Sequence, residues 1–242
     1  MTRLTDKFDK IFCLNLSHRK DRRDKMIKQL ETLGVLDSPK FEWHISTTHI
    51  HSNIMAQAKN QSKLGHFNYP NELNCAREHY SIVKKAYDLG YEHILVIEDD
   101  VFFHKNEMFL SEVLDNIPEE YDILQFGGFS STPDTVEAPI INAYWMHSVH
   151  AWNCSMYALS RKGMKFYLNF QERFFSVADN PLFHIEENKK IINGYLCSKP
   201  VVIQVISESN SSDIRPNTEV TRNLNVNLYE RGLDRSEYGI SL

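Results

Sequence analysis

The feature that most constrains the fold of this chain is the segment HILVIEDD at residues 93–100. Its four consecutive large apolar residues are typical of a strand that is buried on both faces of a sheet. The three adjacent carboxylates that follow, Glu98, Asp99 and Asp100, repel one another by roughly 1 to 4 kcal/mol per contact at a separation of about 4 Å. A strand that ends in this way predicts a cationic partner beside it.

Strand-like and helix-like segments alternate along the rest of the chain. Strands are predicted at residues 10–16 and 41–46, with a helix over 21–33 between them and a polar loop over 47–69 after them. A second helix is predicted to begin near Asn71, as its N-cap, and to end at Gly90. Further predicted elements are a helix at 107–116, strands in YDILQFGG and NCSMYALS, a helix at 161–169 and a strand at 200–205. This pattern predicts an α/β fold with a mostly parallel central sheet flanked by helices, and a ligand crevice at the carboxyl ends of the strands.

The composition is that of a folded globular protein. With 242 residues and 42% hydrophobic content, the chain can bury one large core. A net charge of −5 provides no overall basic surface for nucleic acid or anionic membranes. No run approaches the roughly 18 apolar residues of a membrane span, and the N-terminus MTRLTDKFDK lacks the apolar region of a signal peptide. We therefore expect a cytoplasmic protein, of a bacterium or of a cell that hosts a virus.

The cysteines are widely scattered along the chain. They are Cys13, Cys75, Cys154 and Cys197, and they form no C-x-x-C pair. This spacing predicts reduced, mostly buried thiols, and neither a zinc site nor a set of disulfides is expected.

The acidic strand end has the chemistry of a site for a hard cation. In an extended chain residues i and i+2 point to the same side, so Glu98 and Asp100 should project together while Asp99 faces the other way. Ligands that offer only oxygen favour Mg²⁺ or Mn²⁺ over zinc. Runs of acids are usually solvated surface turns, which is the alternative interpretation. The position of these acids after a fully apolar strand favours the metal site, because α/β folds place their chemistry there.

Seven segments, taken in order, resemble glycosyltransferase family 25, which includes lipopolysaccharide galactosyltransferases and collagen β-galactosyltransferases. The segments are IFCLNLSHRKDRR, NELNCAREHYSIVKKA, HILVIEDD, YDILQFGG, ALSRKGMKFYL, SVADNPLF and KPVVIQ followed by SSDI. The resemblance implies a GT-A-like catalytic domain over residues 1–214, with residues 215–242 as a C-terminal tail or lid of the same domain. Asn74, Arg77 and Glu78 differ from the residues that the family usually carries in the second segment.

The resemblance also implies a reaction and a set of residues for it. The reaction is an inverting transfer of a sugar from a nucleotide-diphosphate donor, usually a UDP-hexose, to a hydroxyl acceptor, assisted by Mn²⁺ or Mg²⁺. Glu98 and Asp100 are the expected metal ligands, with His150 as a further ligand and His147 as its alternative, and Asp179 is the candidate base. The candidate donor-binding residues are Asn15, Leu16, Arg19, Arg22, His79 and Asp99. Further candidates are Arg23 for the phosphate or base, and Ser212 and Asp213 for the metal or diphosphate.

Three alternatives remain beside transfer to a glycan. The first is transfer to hydroxymethylated bases of phage DNA, for which a local basic patch is available, formed by Arg161, Lys162, Lys165, Lys189 and Lys190. The second is a sugar-nucleotide-binding protein without catalytic activity, suggested by the departures between Asn74 and Glu78. The third, a metal-dependent phosphohydrolase, is disfavoured because no second cluster of His and Asp accompanies the acids to form a two-metal centre.

Overall fold

A computed structural model describes residues 1–47, 70–130, 139–148, 150–204 and 234–240. The predicted loop that follows Thr47 and the proposed domain boundary at residue 214 lie outside the described residues. The helices are α1 (Leu4–Lys7), α2 (Lys20–Thr32), α3 (Pro70–Asp88), α4 (Glu107–Asp115), α5 (Arg161–Phe174) and α6 (Asn180–Phe183). The strands are β1 (Lys10–Leu16), β2 (Phe41–Ser46), β3 (His93–Glu98), β4 (Val101–Phe103), β5 (Ile123–Gln125), β6 (Phe129–Ser130), β7 (Trp145–His147), β8 (Ala151–Trp152), β9 (Met156–Ser160), β10 (Gly194–Cys197) and β11 (Val202–Gln204).

A seven-stranded central sheet has the order β2-β1-β3-β9-β5-β10-β7. The first three strands in this order are mutually parallel, and β9 runs antiparallel to both β3 and β5. Since β10 is parallel to β5 and β7 is antiparallel to β10, five of the seven strands run in one direction and two in the other. The predicted α/β class with a mostly parallel central sheet flanked by helices is confirmed.

The acidic strand β3 lies inside this sheet, between β1 and β9. Alternate side chains of β3 enter two different cores: Leu95 and Ile97 pack on one face of the sheet, and Ile94 and Val96 on the other. Helices α2 and α4 contribute to the first core, and α3 and α5 to the second. The expectation that this strand is buried on both faces is therefore confirmed, because helices cover both sides of the sheet.

The helix boundaries differ from the predicted ones in two places. Helix α3 begins at Pro70, so Asn71 lies inside it and the predicted N-cap is wrong. Proline is favoured at the first helical position because its fixed φ suits the helix and its missing N–H would have no partner there. Helix α5 continues to residue 174, beyond the predicted end at 169, and stops where Phe175 adopts a left-handed φ of 47°.

Strands β4 and β11 pair antiparallel in a small sheet outside the central one. The predicted strand at 200–205 thus forms, over the described residues, only from Val202 to Gln204. Residues 234–240 pack on this small sheet, where the Tyr238 hydroxyl donates a 2.7 Å hydrogen bond to the Pro200 carbonyl. Among the helices that the structure describes, none has the length and apolar character needed to cross a bilayer.

Candidate active site at the carboxyl end of strand β3

The chain turns sharply at Asp99 and Asp100, between the end of β3 and the start of β4. The Arg22 side chain of α2 lies against both carboxylates, with Nη1 at 3.1 Å from Asp99 Oδ1 and 3.2 Å from Asp100 Oδ2. Asn15, near the end of β1, donates a 2.5 Å hydrogen bond from Nδ2 to Asp99 Oδ2. Arg22 is thus the cation that the acidic run requires, and it comes from the helix that follows the neighbouring strand.

Glu98 and Asp100 converge on a single point. The Gln204 Nε2 atom of β11 lies 2.7 Å from Glu98 Oε2 and 2.7 Å from Asp100 Oδ1. Asp99 instead meets the Asn15 side chain. Glu98 and Asp100 thus converge as expected, but strand alternation is not the reason. Asp99 and Asp100 lie in a turn, and Arg22 contacts both of them.

These oxygens fit a divalent cation of the hard class. Two carboxylate oxygens from different residues already surround one position, which a hydrogen-bond donor, the Gln204 amide, occupies. Burial raises the pKa of Asp100 to about 6; Arg22 opposes this shift, and the neighbouring Glu98 and Asp99 charges add to it. Carboxylate oxygens are the ligands that Mg²⁺ and Mn²⁺ prefer, so Glu98 and Asp100 could hold such an ion at this position.

The other oxygen of Glu98 faces a buried group of thiols and imidazole. Oε1 lies 3.0 Å from His79 Nε2, 3.3 Å from Cys154 Sγ and 3.9 Å from Cys75 Sγ. Burial opposes the charged form of both Glu98 and His79. The interaction with His79 nevertheless lowers the pKa of Glu98. Cys75 first, and then Glu98, raise the pKa of His79 to about 10.

His79 is fully buried behind Glu98, where its Nδ1 pairs with the Tyr157 hydroxyl at 2.9 Å. It was expected to line the donor pocket. Its neighbours include Glu98, Cys154, Tyr157 and Cys75, and its place in a donor pocket stays a prediction.

The arginine-containing turn after β1 has two separate roles. Arg23 donates from Nε to Asn15 Oδ1 at 2.9 Å, and Asn15 contacts Asp99, so Arg23 belongs to the network of the acids. Arg19 forms a two-pronged pair with Asp21, at 2.9 and 2.7 Å, and its hydrogen bond lowers the pKa of Asp21 to about 2. The Leu16 carbonyl accepts from the Arg19 N–H at 2.9 Å and closes the turn.

Asp179 lies before α6 and is linked to the acids through two amide side chains. Its Oδ2 accepts from the backbone N–H of Asn153 at 3.4 Å, and Asn153 Nδ2 donates to Gln204 Oε1 at 3.1 Å. Asn153 has a left-handed φ of 86°, which asparagine tolerates better than most residues. The Asp179 side chain makes no capping hydrogen bond to α6, so helix capping does not account for it.

His150 contacts a different acid, and its role as a further metal ligand stays a prediction. Its Nε2 lies 3.0 Å from Glu187 Oε1 and its ring packs on Phe183 at 5.0 Å. The one group of metal-ligating side chains found within the described residues consists of Cys75, His79 and Glu98, and it does not include His150. His147 packs against the Tyr195 ring at 5.1 Å. Ser212 and Asp213 lie outside the described residues.

Three residues at this site were not among the predicted ones: Gln204, Cys75 and Cys154. Cys75 lies four positions before His79, a spacing that places both on one face of a helix, so the sequence contained that signal. Gln204 interrupts an apolar strand, which is a weaker signal. Nothing local in the sequence connects Cys154 with Glu98, since they are 56 residues apart.

Comparison with known proteins gives a family for the chain. The family model described as glycosyltransferase family 25 (LPS biosynthesis protein) matches residues 8–178. Human procollagen galactosyltransferase 2 is 31% identical over 140 residues, covering 50% of this chain and 21% of that protein. Procollagen galactosyltransferase 1-A of Xenopus laevis is 25% identical over 174 residues, covering 67% and 28%. This chain thus spans less than a third of the length of these relatives, 21% and 28%.

Two further similarities complete the comparison. The human protein called inactive glycosyltransferase 25 family member 3 is 26% identical over 137 residues, covering 52% of this chain and 23% of that protein. Among solved structures, a glycosyltransferase involved in glycosylation of the major capsid of PBCV-1 superposes with a TM-score of 0.48 at 8% identity, covering 90% of this chain and 99% of that one. The match to the family model includes the acidic motif and its neighbouring strands and extends over more than half of the sequence. The chain belongs to glycosyltransferase family 25.

Proposed function

We propose that the chain is a metal-dependent inverting glycosyltransferase. It would move a sugar from a nucleotide-diphosphate donor, a UDP-hexose, to the hydroxyl of a glycan. The observation that carries this proposal is the convergence of Glu98 Oε2 and Asp100 Oδ1 on one point, 2.7 Å from each, at the carboxyl end of a central strand in a member of family 25. This is the place where α/β sheets bind ligands.

Glu98 and Asp100 would hold the divalent ion. When bound, such an ion supplies Lewis-acid stabilisation to a departing diphosphate. Arg22 and Asn15 hold Asp99 at 3.1 and 2.5 Å, and Arg22 also restrains Asp100, which keeps the carboxylates in place. Arg23 adds a second positive charge beside Asn15, suited to the nucleotide diphosphate of the donor.

Asp179 is the proposed general base, which takes the proton from the acceptor hydroxyl. Its carboxylate is not used to cap α6, and hydrogen bonds through Asn153 and Gln204 link it to Glu98, which supports this role. An inverting transfer needs a base of this kind on the acceptor side of the sugar.

The test needs no knowledge of the acceptor. The purified chain is incubated with a panel of nucleotide sugars, and release of the nucleoside diphosphate is measured with Mn²⁺, with Mg²⁺ and with a chelator. We expect slow metal-dependent hydrolysis of a UDP-hexose. Asp100→Asn should lower this rate by about 100-fold, a loss typical of one electrostatic group at the reacting centre.

Asp88→Asn is the matched control, because Asp88 is exposed and pairs with Lys84 on the surface of α3. It should leave the rate unchanged. Metal-independent hydrolysis, or an Asp100→Asn variant with full activity, contradicts the proposed metal site. Metal-dependent binding of the donor with neither hydrolysis nor transfer would favour a binding protein without catalytic activity; one human relative is named an inactive member of the family.

Transfer to a modified DNA base is the second candidate acceptor reaction. Two residues of the basic patch are engaged within the protein: Lys162 pairs with Asp122 at 2.8 Å, and Arg161 stacks over the Tyr87 ring at 4.4 Å. The ion pair offsets the charge of Lys162, and the stacking restrains Arg161, so both contacts support the glycan over DNA as acceptor. Salt-dependent binding of duplex DNA, measured by fluorescence anisotropy, would reverse this preference.

A further inference from the structure

Four side chains that commonly bind soft or borderline metals meet behind Glu98. Cys75 and His79 come from α3, Glu98 from the end of β3, and Cys154 from the segment before β9. The ligand atoms of Cys75, His79 and Glu98 all lie within 4.8 Å of one another. Cys154 Sγ lies 3.3 Å from Glu98 Oε1 and 3.7 Å from His79 Nε2.

The spacing of these atoms is close to that of a tetrahedral metal site. Zinc bonds of about 2.0 to 2.3 Å place neighbouring ligand atoms roughly 3.4 to 3.8 Å apart. The four separations that the structure gives here are 3.0 Å between His79 and Glu98, 3.3 and 3.7 Å from Cys154 to these two, and 3.9 Å between Cys75 and Glu98. A small adjustment of side chains is enough to receive the ion.

The surroundings of His79 also suit a ligand role. Its Nδ1 pairs with the Tyr157 hydroxyl at 2.9 Å, and both residues are fully buried. Histidines that bind metals are usually held by such a hydrogen bond at the second ring nitrogen, which directs the first at the ion. Cys75 and Glu98 are only half-buried, so the cluster is not completely closed to solvent.

We propose that Cys75, His79, Glu98 and Cys154 form a binding site for Zn²⁺, separate in its chemistry from the oxygen-only position between Glu98 and Asp100. Thiolate and imidazole select zinc, whereas carboxylates alone suit Mg²⁺ or Mn²⁺. Glu98 belongs to both sites, with Oε1 toward the thiols and Oε2 toward Asp100. Zinc would hold the Glu98 carboxylate in the orientation that the neighbouring site uses.

The experiment uses the full chain, reduced and stripped of metal, and needs no sugar donor, so its outcome is independent of the proposed transferase activity. Co²⁺ is added as a spectroscopic probe and then displaced with Zn²⁺. We expect one Co²⁺ per chain, with the thiolate charge-transfer band and the intense visible bands of tetrahedral coordination. Excess Mg²⁺ should leave these bands intact, while Zn²⁺ should remove them.

Variants identify the ligands. Cys75→Ser and Cys154→Ser should each weaken Zn²⁺ binding by more than about tenfold, and Tyr157→Phe should weaken it by about ten- to 100-fold through the orientation of His79. Cys197→Ser is the matched control, since the Cys197 thiol donates to the Lys199 carbonyl at another position, and it should bind normally. Circular dichroism confirms that each variant is folded.

Two results would overturn the proposal, and the first needs no variant. Wild-type protein with all thiols reduced that shows no thiolate-to-cobalt band, or a band that Mg²⁺ abolishes, has no such site. A folded Cys75→Ser variant with unchanged zinc affinity likewise refutes it, because the cluster would then be a buried ion pair packed against two thiols.

Discussion

Arg22 shows how one residue sets the electrostatics of the site. Its side chain is only 7% exposed and contacts Asp99 and Asp100, which are themselves largely buried. A buried ion pair adds little net stability, because desolvation offsets the attraction, but removing one member leaves a charge without compensation. Arg22 therefore matters chiefly because it compensates the buried charges of Asp99 and Asp100, and its ion pairs add little net stability of their own.

At this scale we expect Arg22→Met to lower the free energy of unfolding by about 3 kcal/mol, since two carboxylates lose their shared partner. Urea denaturation of wild type and variant measures the difference. Lys20→Met, at an exposed position of the same helix, is the control and should change stability by less than about 0.5 kcal/mol. Equal effects of the two substitutions would show that the Arg22 contacts carry no special energy.

At the scale of elements, the start of α5 is held unusually close to the strand segment before β5. A Cβ atom added at Gly163 would lie 1.9 Å from the Asp122 carbonyl oxygen, which is backbone and cannot turn away. The Gly163 N–H donates to the Ser160 hydroxyl that caps the helix, at 3.1 Å. The glycine thus lets the helix begin directly at the end of β9 and cover the sheet.

Gly163→Ala should therefore destabilise the protein by about 1 to 3 kcal/mol, because α5 must move away from the sheet to remove the overlap. Alanine is otherwise the better helix former, so propensity alone predicts the opposite sign. Lys165→Ala, at an exposed position of the same helix, is the control. A Gly163→Ala variant as stable as wild type in urea would mean that this close approach does not constrain the helix.

At the scale of the whole molecule, the described part of the C-terminus is fastened to the small sheet that follows the acids. Glu237 pairs with Lys199 at 2.9 Å and its carbonyl accepts from the Lys105 N–H at 2.7 Å, while Tyr238 is buried against Ile203. That sheet contains Gln204 and begins immediately after Asp100. Residues 234–240 thus support the strands that border the site.

We expect Tyr238→Ala to cost about 3 kcal/mol of stability, since a buried ring is removed. Tyr238→Phe should cost only about 1 kcal/mol, because it loses a single hydrogen bond, to the Pro200 carbonyl, and keeps the packing. Chemical denaturation of both variants separates the two contributions. Equal losses would indicate that the ring itself packs loosely.

Local patterns in the sequence were sufficient for much of this architecture. The predicted strands at 10–16 and 41–46 match β1 and β2, and the apolar run before Glu98 forms the buried strand β3. Strands β7 and β10 were not predicted, because they are short and their burial depends on neighbours distant in sequence. The acidic motif could also be predicted from the sequence, because the three acids directly follow the apolar run that forms β3.

The sequence by itself determined that a strand buried on both faces ends in carboxylates, because an apolar run followed by acids is a pattern of neighbouring residues. The convergence of Glu98 and Asp100 depends on the turn that follows the strand, which alternation does not describe. The tertiary structure decided what meets those carboxylates. Gln204 is 104 residues from Asp100, and Arg22 is 77 residues from Asp99. No local period relates such positions, so only the packing of strands and helices brings together the amide, the arginine and the cysteines around Glu98.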